Sequence, residues 1–456
     1  MLRPASSSTV SRISLAAALA FVAWLVAHRL WLVWNNSVNV LFWDQWDVYM
    51  PLFRELGAWD GFNHQHGPHR QGLGSLLTGA MALWTGWDVR YDAMMAVGAM
   101  ILAAGIGIDI ARRCEAGLIE TLLLVPLLAL TTRQYELWVG PSNPAHSPLP
   151  VLLTMTYAWC WFIERPSVRL PLQAVLVALL IFTGFGIFAG AIGSALFAWE
   201  AWSHWREERP RAALVALAAI VFAAGVWALF FRGYVFEPAE PNFRFPHSRP
   251  WEYLWFIVMM FAAFGGWKDP VELGFPLGAV LFIAVLLVAV THGRRLLAGP
   301  FASKRTSIVL LVLAAATLLF CLNPAVGRIG LGWRAGGNPS RYVAMLMPGL
   351  FAVYLASRAW PKTWMRGATF GFLLFIAAWK GLLPSSGDQR SIDGFRRSQE
   401  TWVQVMLETG SKEAADKASM AVNNYPIYPG DIRDRLIFLR ERRLNFYKDA
   451  AGAPVQ

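Results

Sequence analysis

The stretch "ISLAAALAFVAWLVAHRLWLVW", from Ile13 to Trp34, decides the fold class of this chain. It is apolar over almost its whole length, and a helix needs about 20 such residues to cross a bilayer. A basic start followed by an apolar run would also suit a cleaved signal peptide. However, the run continues to Trp34 and no small-residue cleavage site follows it. We therefore expect an uncleaved first membrane span.

The composition extends this expectation to the whole chain of 456 residues, which is 56% hydrophobic and only 15% charged. Soluble domains carry about a quarter of their residues as charged. The 23 tryptophans are typical of a protein with many membrane–water boundaries. The net charge of +11 comes in short clusters between apolar runs, so it does not predict a nucleic-acid partner. The sequence predicts an all-α polytopic membrane protein.

Eleven apolar segments are candidate spans: 13–34, 91–111, 118–132, 148–163, 170–184, 186–202, 211–231, 272–290, 307–323, 341–357 and 366–384. Basic residues between spans orient a membrane protein, because they stay on the cytoplasmic side. With eleven spans and a cytoplasmic N-terminus, every basic cluster falls inside: 112–113, 165–169, 205–211, 291–305 and 357–366. This pattern predicts a multi-pass membrane protein with a cytoplasmic N-terminus.

Two further apolar stretches, 72–86 and 251–264, would reverse this order if they crossed. We expect both to be helices that lie on the outer face or dip into it. Residues 1–384 then form the membrane domain, and residues 385–456 form a C-terminal extracytoplasmic helical segment of mixed charge. The polar loops of the outer side, where we expect the functional site, are 35–90, 133–147, 232–271 and 324–340.

The sequence "FWDQWD", from Phe42 to Asp47, places two carboxylates just after the first span. Residues three apart share a face of a helix. A carboxylate among tryptophans is partly desolvated, which raises its basicity and suits a general base. We therefore predict Asp44 as the catalytic base, with Asp47 as a second catalytic candidate. The alternative is a wet loop whose acids simply face water.

The turn "HQHGPHR" follows, from His64 to Arg70. Three interpretations stay open. It is a polar turn at the headgroup level, or His69 and Arg70 hold an anionic group beside Asp44, or imidazoles bind a divalent metal. Zinc or manganese would suit His66 and His69 with an oxygen from Asp44 or Glu136. No cofactor is predicted firmly.

Later loops bring arginine to the outer side, against the usual charge bias. The segments "NFRFPHSRP" and "GWRAGGNPSRY" contain Arg244, Arg334 and Arg341, the last next to Tyr342. Arginine binds phosphate in a bidentate manner, and glycine-rich backbone approaches a phosphate closely. We predict these residues as phosphate-binding, with Glu136 as a second carboxylate toward the substrate. Ordinary solvated arginines are the alternative.

The order of these segments resembles the GT-C superfamily of membrane glycosyltransferases. The resemblance is carried by "FWDQWD", "HGPHR", "LLTGAMALWTG" and "ARRC" in the first part, and more loosely by "YELWVG", "TGFGIFAG" and "NPSRY". It is similar to an uncharacterised bacterial branch, and more distantly to protein O-mannosyltransferases and the lipid A aminoarabinose transferase. The resemblance implies a protein of the bacterial cytoplasmic (inner) membrane that carries out an inverting transfer from a polyprenyl-phosphate-linked sugar, with Asp44 as base. Many members have Asp-Glu where this chain has Asp44-Gln45.

Other function classes remain as alternatives. A transporter or flippase of a lipid-linked glycan would need polar groups along a path through the bilayer. A membrane O-acyltransferase would need a buried histidine base, and an assembly protein would need neither feature. The chain contains no P-loop, dinucleotide motif or serine elbow. The expected partners are therefore a lipid-linked sugar and membrane lipid.

Overall fold

The fold is built almost entirely of α-helices. The computed structural model describes residues 6–140, 143–236, 238, 241–267, 269–298, 304–424 and 426–448, and 77% of these residues are helical. In this described part, β1 (Gln65–His66) and β2 (His69–Arg70) form a two-residue antiparallel pair. Helices satisfy their backbone hydrogen bonds internally, as a lipid environment demands. The all-α prediction is confirmed.

Twenty α-helices follow one another in the described residues. Up to residue 113 they are α1 (Ser6–Asn36), α2 (Gln45–Val48), α3 (Met50–Phe53), α4 (Ala58–Asn63), α5 (Gly72–Thr85) and α6 (Arg90–Arg113). The middle of the chain contains α7 (Leu118–Ala129), α8 (Tyr135–Val139), α9 (Pro148–Cys160), α10 (Pro166–Phe182), α11 (Ile187–Arg206), α12 (Pro210–Phe231) and α13 (Trp251–Phe264). The rest are α14 (Val271–Leu297), α15 (Arg305–Arg328), α16 (Met347–Ser357), α17 (Thr363–Ala378), α18 (Ser386–Thr409), α19 (Lys412–Asn423) and α20 (Arg433–Glu441).

Six helical stretches in the described residues are long and apolar enough to cross a membrane. They are Arg12–Asn36, Arg90–Arg113, Gly184–Arg206, Pro210–Phe231, Val271–Leu297 and Arg305–Leu331. The other five expected spans coincide with α7, α9, α10, α16 and α17, which have 11 to 17 residues. A perpendicular crossing needs about 20 residues. The chain therefore has the helices of a multi-span membrane protein, and the count of eleven spans stays a prediction.

The charged residues between helices gather at two ends of the bundle. The basic end comprises residues 112–117, 161–165, 204–209, 294–298, 304–305 and 358–362. There Arg305 lies 3.7 Å from Glu164, and Arg358 lies 2.6 Å from Glu120. The loop end comprises residues 37–89, 131–140, 143–147, 241–250, 329–346, 379–424 and 426–448. The basic clusters therefore lie together, as one side of a membrane requires.

The two stretches expected not to cross are both helical, but their surroundings differ. Leu83 and Trp84 of α5 are largely exposed, as expected for a helix at a membrane surface. In α13, by contrast, residues 256–264 are buried by protein. Two glycines allow this close packing, because a Cβ on Gly278 would lie 2.1 Å from the Val258 carbonyl oxygen, and one on Gly336 would lie 2.3 Å from that of Phe256. An open interfacial position therefore fits only the first turns of α13.

The predicted C-terminal segment is helical and packs on the first loop through a hydrophobic core of its own. This core contains Val40, Leu41, Phe42, Trp46, Trp402, Met406, Ile427, Leu436 and Leu439. Helix α18 begins with a capping box between Ser385 and Asp388, which satisfies backbone groups at its start. Asp388 also pairs with Arg133 of the second loop at 2.6 Å. Residues 449–456 of the expected segment lie outside the described residues.

Candidate active site

A cavity of about 370 Å³ opens at the loop end. Its wall comes from four separate segments of the chain, and it is lined by Phe42, Trp43, Tyr135, Glu136, Arg328, Asn338, Pro339, Arg341, Ser391, Phe395 and Asn423. Ligand sites in proteins are concave and combine aromatic walls with a few polar groups. The cavity has both, and its volume suits a small polar ligand such as a sugar phosphate.

Two guanidinium groups give this cavity its charge. Arg341 lies 3.8 Å from the Glu136 carboxylate, and its backbone N–H donates to the same carboxylate at 3.1 Å. Arg328 stands over the Tyr342 ring at 5.8 Å, and Arg341 stands over it at 5.9 Å. Glu136 therefore fixes the position of Arg341 and neutralises one charge of the two. Among the lining residues themselves, two arginines therefore face one carboxylate.

Asp44 lies beside this cavity, directly after its lining residues Phe42 and Trp43. The side chain is half-buried and makes no capping hydrogen bond to α2. Its negative charge acts on both Arg341 and His69. The structure thus brings together Asp44, Glu136 and Arg341, which are far apart in sequence.

Asp47 is placed differently from Asp44, although one turn separates them. Its carboxylate accepts a hydrogen bond from the Tyr428 hydroxyl at 2.8 Å and lies 3.6 Å from Arg435. Arg435 also donates to the Trp46 carbonyl at 3.0 Å. Asp47 therefore ties the first loop to the C-terminal segment, which is a positioning role and differs from the catalytic one predicted.

Arg70 is also engaged by protein. Its guanidinium donates to the carbonyl oxygens of Phe230 at 2.7 and 3.0 Å, of Arg232 at 2.8 Å and of Asn63 at 2.5 Å. A buried guanidinium with these backbone acceptors has few donors left for a ligand. Arg70 joins the first loop to the end of α12, so its geometry favours a structural role over the predicted anion binding.

His69 belongs to a group of three imidazoles at the edge of the site. Its ring centre lies 5.0 Å from that of His146, which lies 5.9 Å from that of His66. Burial lowers the pKa of His69 well below its usual value, and the neighbouring imidazoles lower it further, while Asp44 acts in the opposite direction. Burial likewise lowers the pKa of His146, followed by His66 and the two cavity arginines. Both buried rings are therefore neutral at pH 7.

The metal alternative finds no matching arrangement in the described residues. Among them, no group of three histidine, cysteine, aspartate or glutamate side chains is placed to hold a metal ion. Of the ligands considered, His66 and His69 lie near His146, whereas the Glu136 carboxylate faces the backbone and guanidinium of Arg341. The Glu136 oxygen considered beside the imidazoles is thus engaged elsewhere.

The other predicted cations lie apart from the cavity wall. Arg244 and Arg334 are exposed, and Arg334 stacks on its neighbour Trp333 at 5.3 Å. Tyr342 is buried beneath the two cavity arginines. Of the three outer arginines expected to bind phosphate, only Arg341 lines the cavity.

Several lining residues were not predicted from the sequence. Arg328 ends the apolar helix α15 at the loop end, and the same charge-bias argument that selected Arg341 applies to it. Ser391, Phe395 and Asn423 come from the C-terminal segment. Nothing in the local sequence of that segment indicates contact with the site, because the contact depends on how the segment folds back over the first loop.

Comparisons with known proteins add no relative to this description. No protein-family model, curated protein or solved structure matches the chain. The chemistry of the site therefore has to be inferred from its charges, its space and the membrane helices that carry it.

Proposed function

We propose that this protein is a membrane glycosyltransferase that moves a sugar from a polyprenyl-phosphate donor to an acceptor hydroxyl outside the cytoplasm. The observation that carries the proposal is the position of Asp44 beside a cavity walled by the guanidinium groups of Arg328 and Arg341. A carboxylate suits proton removal from a hydroxyl, and paired guanidinium groups suit a phosphate. Both needs of such a transfer are met within one cavity.

The surroundings support a lipid-borne donor. A polyprenyl tail is apolar and would lie between the membrane helices, while its phosphate would stay at the polar end of the bundle. The basic end of the bundle is expected in the cytoplasm by the usual charge bias, which leaves the cavity on the outer face. The resemblance of the first hundred residues to GT-C glycosyltransferases agrees with this orientation.

The proposed reaction is one inverting displacement. Asp44 accepts the proton of the acceptor hydroxyl, and the hydroxyl oxygen forms a bond to the anomeric carbon. The bond between that carbon and the phosphate oxygen breaks, and the polyprenyl phosphate leaves with the bonding electrons. Arg328 and Arg341 stabilise the negative charge that grows on the leaving phosphate. The acceptor is a glycan, glycolipid or protein hydroxyl.

The test compares purified wild-type protein with Asp44→Asn in proteoliposomes that contain labelled polyprenyl-phosphate sugars extracted from bacterial membranes. Loss of a general base lowers rates by about 10²- to 10⁴-fold, so we expect transfer and release of label to fall by this factor. Asp60→Asn is the matched control, because Asp60 is an exposed carboxylate of the same loop and its removal should leave the rate unchanged.

Three outcomes separate the candidate functions. Equal turnover by wild type and Asp44→Asn would remove Asp44 from the mechanism. Movement of intact lipid-linked sugar across the bilayer, without cleavage of the sugar–phosphate bond, would identify a flippase instead. Loss of turnover in the presence of a chelator, restored by one divalent cation, would add a metal to the proposed site.

A further inference from the structure

The C-terminal segment supplies a complete side of the cavity, opposite in chemistry to the arginine side. Ser391 and Phe395 come from α18, and Asn423 ends α19. They offer a hydroxyl, an aromatic ring and an amide, and they carry no charge. Hydroxyl and amide groups both donate and accept hydrogen bonds, which matches the alcohol groups of a sugar better than a phosphate.

Asn423 has an unused donor at this wall. Its Nδ2 atom is buried and has no hydrogen-bond partner in the described part of the chain. Water does not reach this atom, so the side chain has to rotate toward the cavity before a ligand accepts from it. The ligand then satisfies a donor that otherwise has no partner. Gly394 leaves the space for this amide, since a Cβ at that position would lie 2.9 Å from the Asn423 Oδ1 atom.

The wall is held firmly against the rest of the site. The Trp43 backbone N–H donates to the Ile427 carbonyl at 2.9 Å, and Tyr428 bonds to Asp47. Trp402 and Ile427 are completely buried in the core shared with the first loop. Side chains on such a fixed support recognise a ligand with little loss of conformational freedom.

We propose that this wall, through Asn423 and Ser391, recognises the sugar of the donor and sets which sugar the protein accepts. The inference rests on the proposed function, since the arginine side would hold the phosphate to which the sugar is attached. With the phosphate at Arg328 and Arg341, the sugar occupies the remaining space and contacts the uncharged lining residues of the C-terminal segment. The substrate class is therefore a hexose or related sugar whose hydroxyl groups accept from the Asn423 amide.

The experiment measures binding to the full-length protein in nanodiscs. The probes are bare polyprenyl phosphate and polyprenyl phosphates that carry glucose, mannose, galactose or N-acetylglucosamine. We expect wild type to bind one sugar-bearing lipid at least tenfold more tightly than the others. One hydrogen bond is worth about threefold to tenfold in affinity, so Asn423→Ala should weaken the preferred lipid by that factor and leave bare polyprenyl phosphate within twofold.

Matched variants separate recognition from misfolding. Asn424→Gly changes the adjacent exposed asparagine, whose backbone φ of +55° glycine adopts readily, and it should bind every probe as wild type does. Gly394→Ala removes no polar group, yet it should displace the Asn423 amide and reproduce the loss. Ser391→Ala should give a second, smaller loss for the preferred lipid alone.

The outcomes distinguish this inference from the proposed function. Equal binding of all four sugars by wild type, or equal loss of bare and sugar-bearing lipid in Asn423→Ala, would overturn sugar recognition by the C-terminal wall. Selective binding without any cleavage would keep the inference and overturn the transferase. Failure of wild type to bind polyprenyl phosphate at all would overturn the proposed function and, with it, the inference.

Discussion

Arg169 near the basic end and Arg341 at the loop end are both enclosed by protein, yet their surroundings differ. Arg169 of α10 pairs with Glu200 of α11 through two hydrogen bonds, and His204 approaches the same carboxylate at 3.3 Å. Gln173 accepts a further bond from Arg169 at 3.3 Å. Every charge of this group is compensated, and α10 and α11 pack closely around it.

In the cavity at the loop end, the arginine charges are not all paired with a carboxylate. Glu136 pairs with Arg341 and the charge of Asp44 acts on the same arginine, whereas Arg328 has no carboxylate partner among the described residues, and about 370 Å³ of open space lies beside them. A buried charge that is compensated stabilises or orders a fold, whereas one that is not compensated prepares a site for a ligand of opposite charge. The comparison therefore favours a structural role for the group around Arg169, and it agrees with the proposed binding role of Arg328 and Arg341.

The largest expected effect is on the stability of the compensated group. Glu200→Gln would leave Arg169 buried without its counter-charge, which costs about 3–5 kcal/mol in known proteins. We expect a correspondingly lower free energy of unfolding, measured by denaturant titration in detergent. The double variant Arg169→Met/Glu200→Leu should lose much less.

Glu252→Gln is the control for this experiment. Glu252 pairs at 3.4 Å with Arg249, whose side chain is largely exposed, and an ion pair that is open to water on one side contributes little. The free energy of unfolding of Glu252→Gln should stay within about 0.5 kcal/mol of the wild-type value. If Glu200→Gln were as stable as Glu252→Gln, the compensated pair would not be a structural element.

The second largest expected effect is on sugar transfer, when an arginine of the cavity is removed. Removal of one fixed donor from a developing anion lowers rates by about 10²- to 10³-fold, so Arg328→Ala should reduce sugar transfer by this factor. Its free energy of unfolding should not fall, because Arg328 forms no ion pair within the described part of the chain, and its guanidinium stands only over the Tyr342 ring. Arg334→Ala, an exposed change in the same region, should leave transfer unchanged. If Arg328→Ala lowered the free energy of unfolding but left the affinity for the polyprenyl-phosphate donor unchanged, the assignment of Arg328 to ligand binding would be contradicted.

The sequence predicted the helices better than their contacts. Long apolar runs predict membrane helices, and basic clusters between them predict one side of the membrane. The all-helical fold and the grouping of the basic clusters at one end of the bundle could therefore be predicted from the sequence. The burial of α13 did not follow, because it depends on how closely Gly278 of the next helix and Gly336 of a later loop approach the α13 backbone. A hydrophobic run alone does not say whether lipid or protein covers it.

The site was predicted in part for a similar reason. Asp44, Glu136 and Arg341 were selected by residue type and position near span ends, and the structure brings them together. Arg70 and Asp47 were selected by the same criteria, but local chemistry cannot show that Arg70 meets carbonyls of α12 or that Asp47 meets Tyr428. These partners lie more than 150 residues away, so only the folded chain reveals whether a charge is already engaged.

Arg70 tests that distinction directly. Its removal leaves carbonyl oxygens of Phe230, Arg232 and Asn63 without a donor, at about 1–3 kcal/mol for an unsatisfied buried group. We therefore expect Arg70→Met to lower the free energy of unfolding by this amount and to leave the affinity for polyprenyl phosphate unchanged in the folded fraction. A selective loss of phosphate affinity would return Arg70 to the binding site.

The smallest expected effect is the pH dependence of the neutral histidines beside the site. Folding lowers the pKa of His69 and His146, so the unfolded chain binds more protons below a pH of about 6.5. Stability is then fully present above this pH and falls as the pH is lowered toward the folded pKa, by about 1.4 kcal/mol per pH unit for each histidine. Arg328, Arg341 and His66 strengthen the effect, and Asp44 opposes it.

Thermal unfolding of the protein in detergent between pH 7.5 and pH 5 measures this dependence. His146→Gln should flatten the profile by about half, since one of the two neutral rings no longer titrates. His247→Gln changes a histidine of the loop after α12, away from the cavity, and should leave the slope as in wild type. If the stability of the wild-type protein did not change over this pH range, His69 and His146 would be solvated or protonated in the folded state. The protein interior around these two rings would then contain more water than their burial implies.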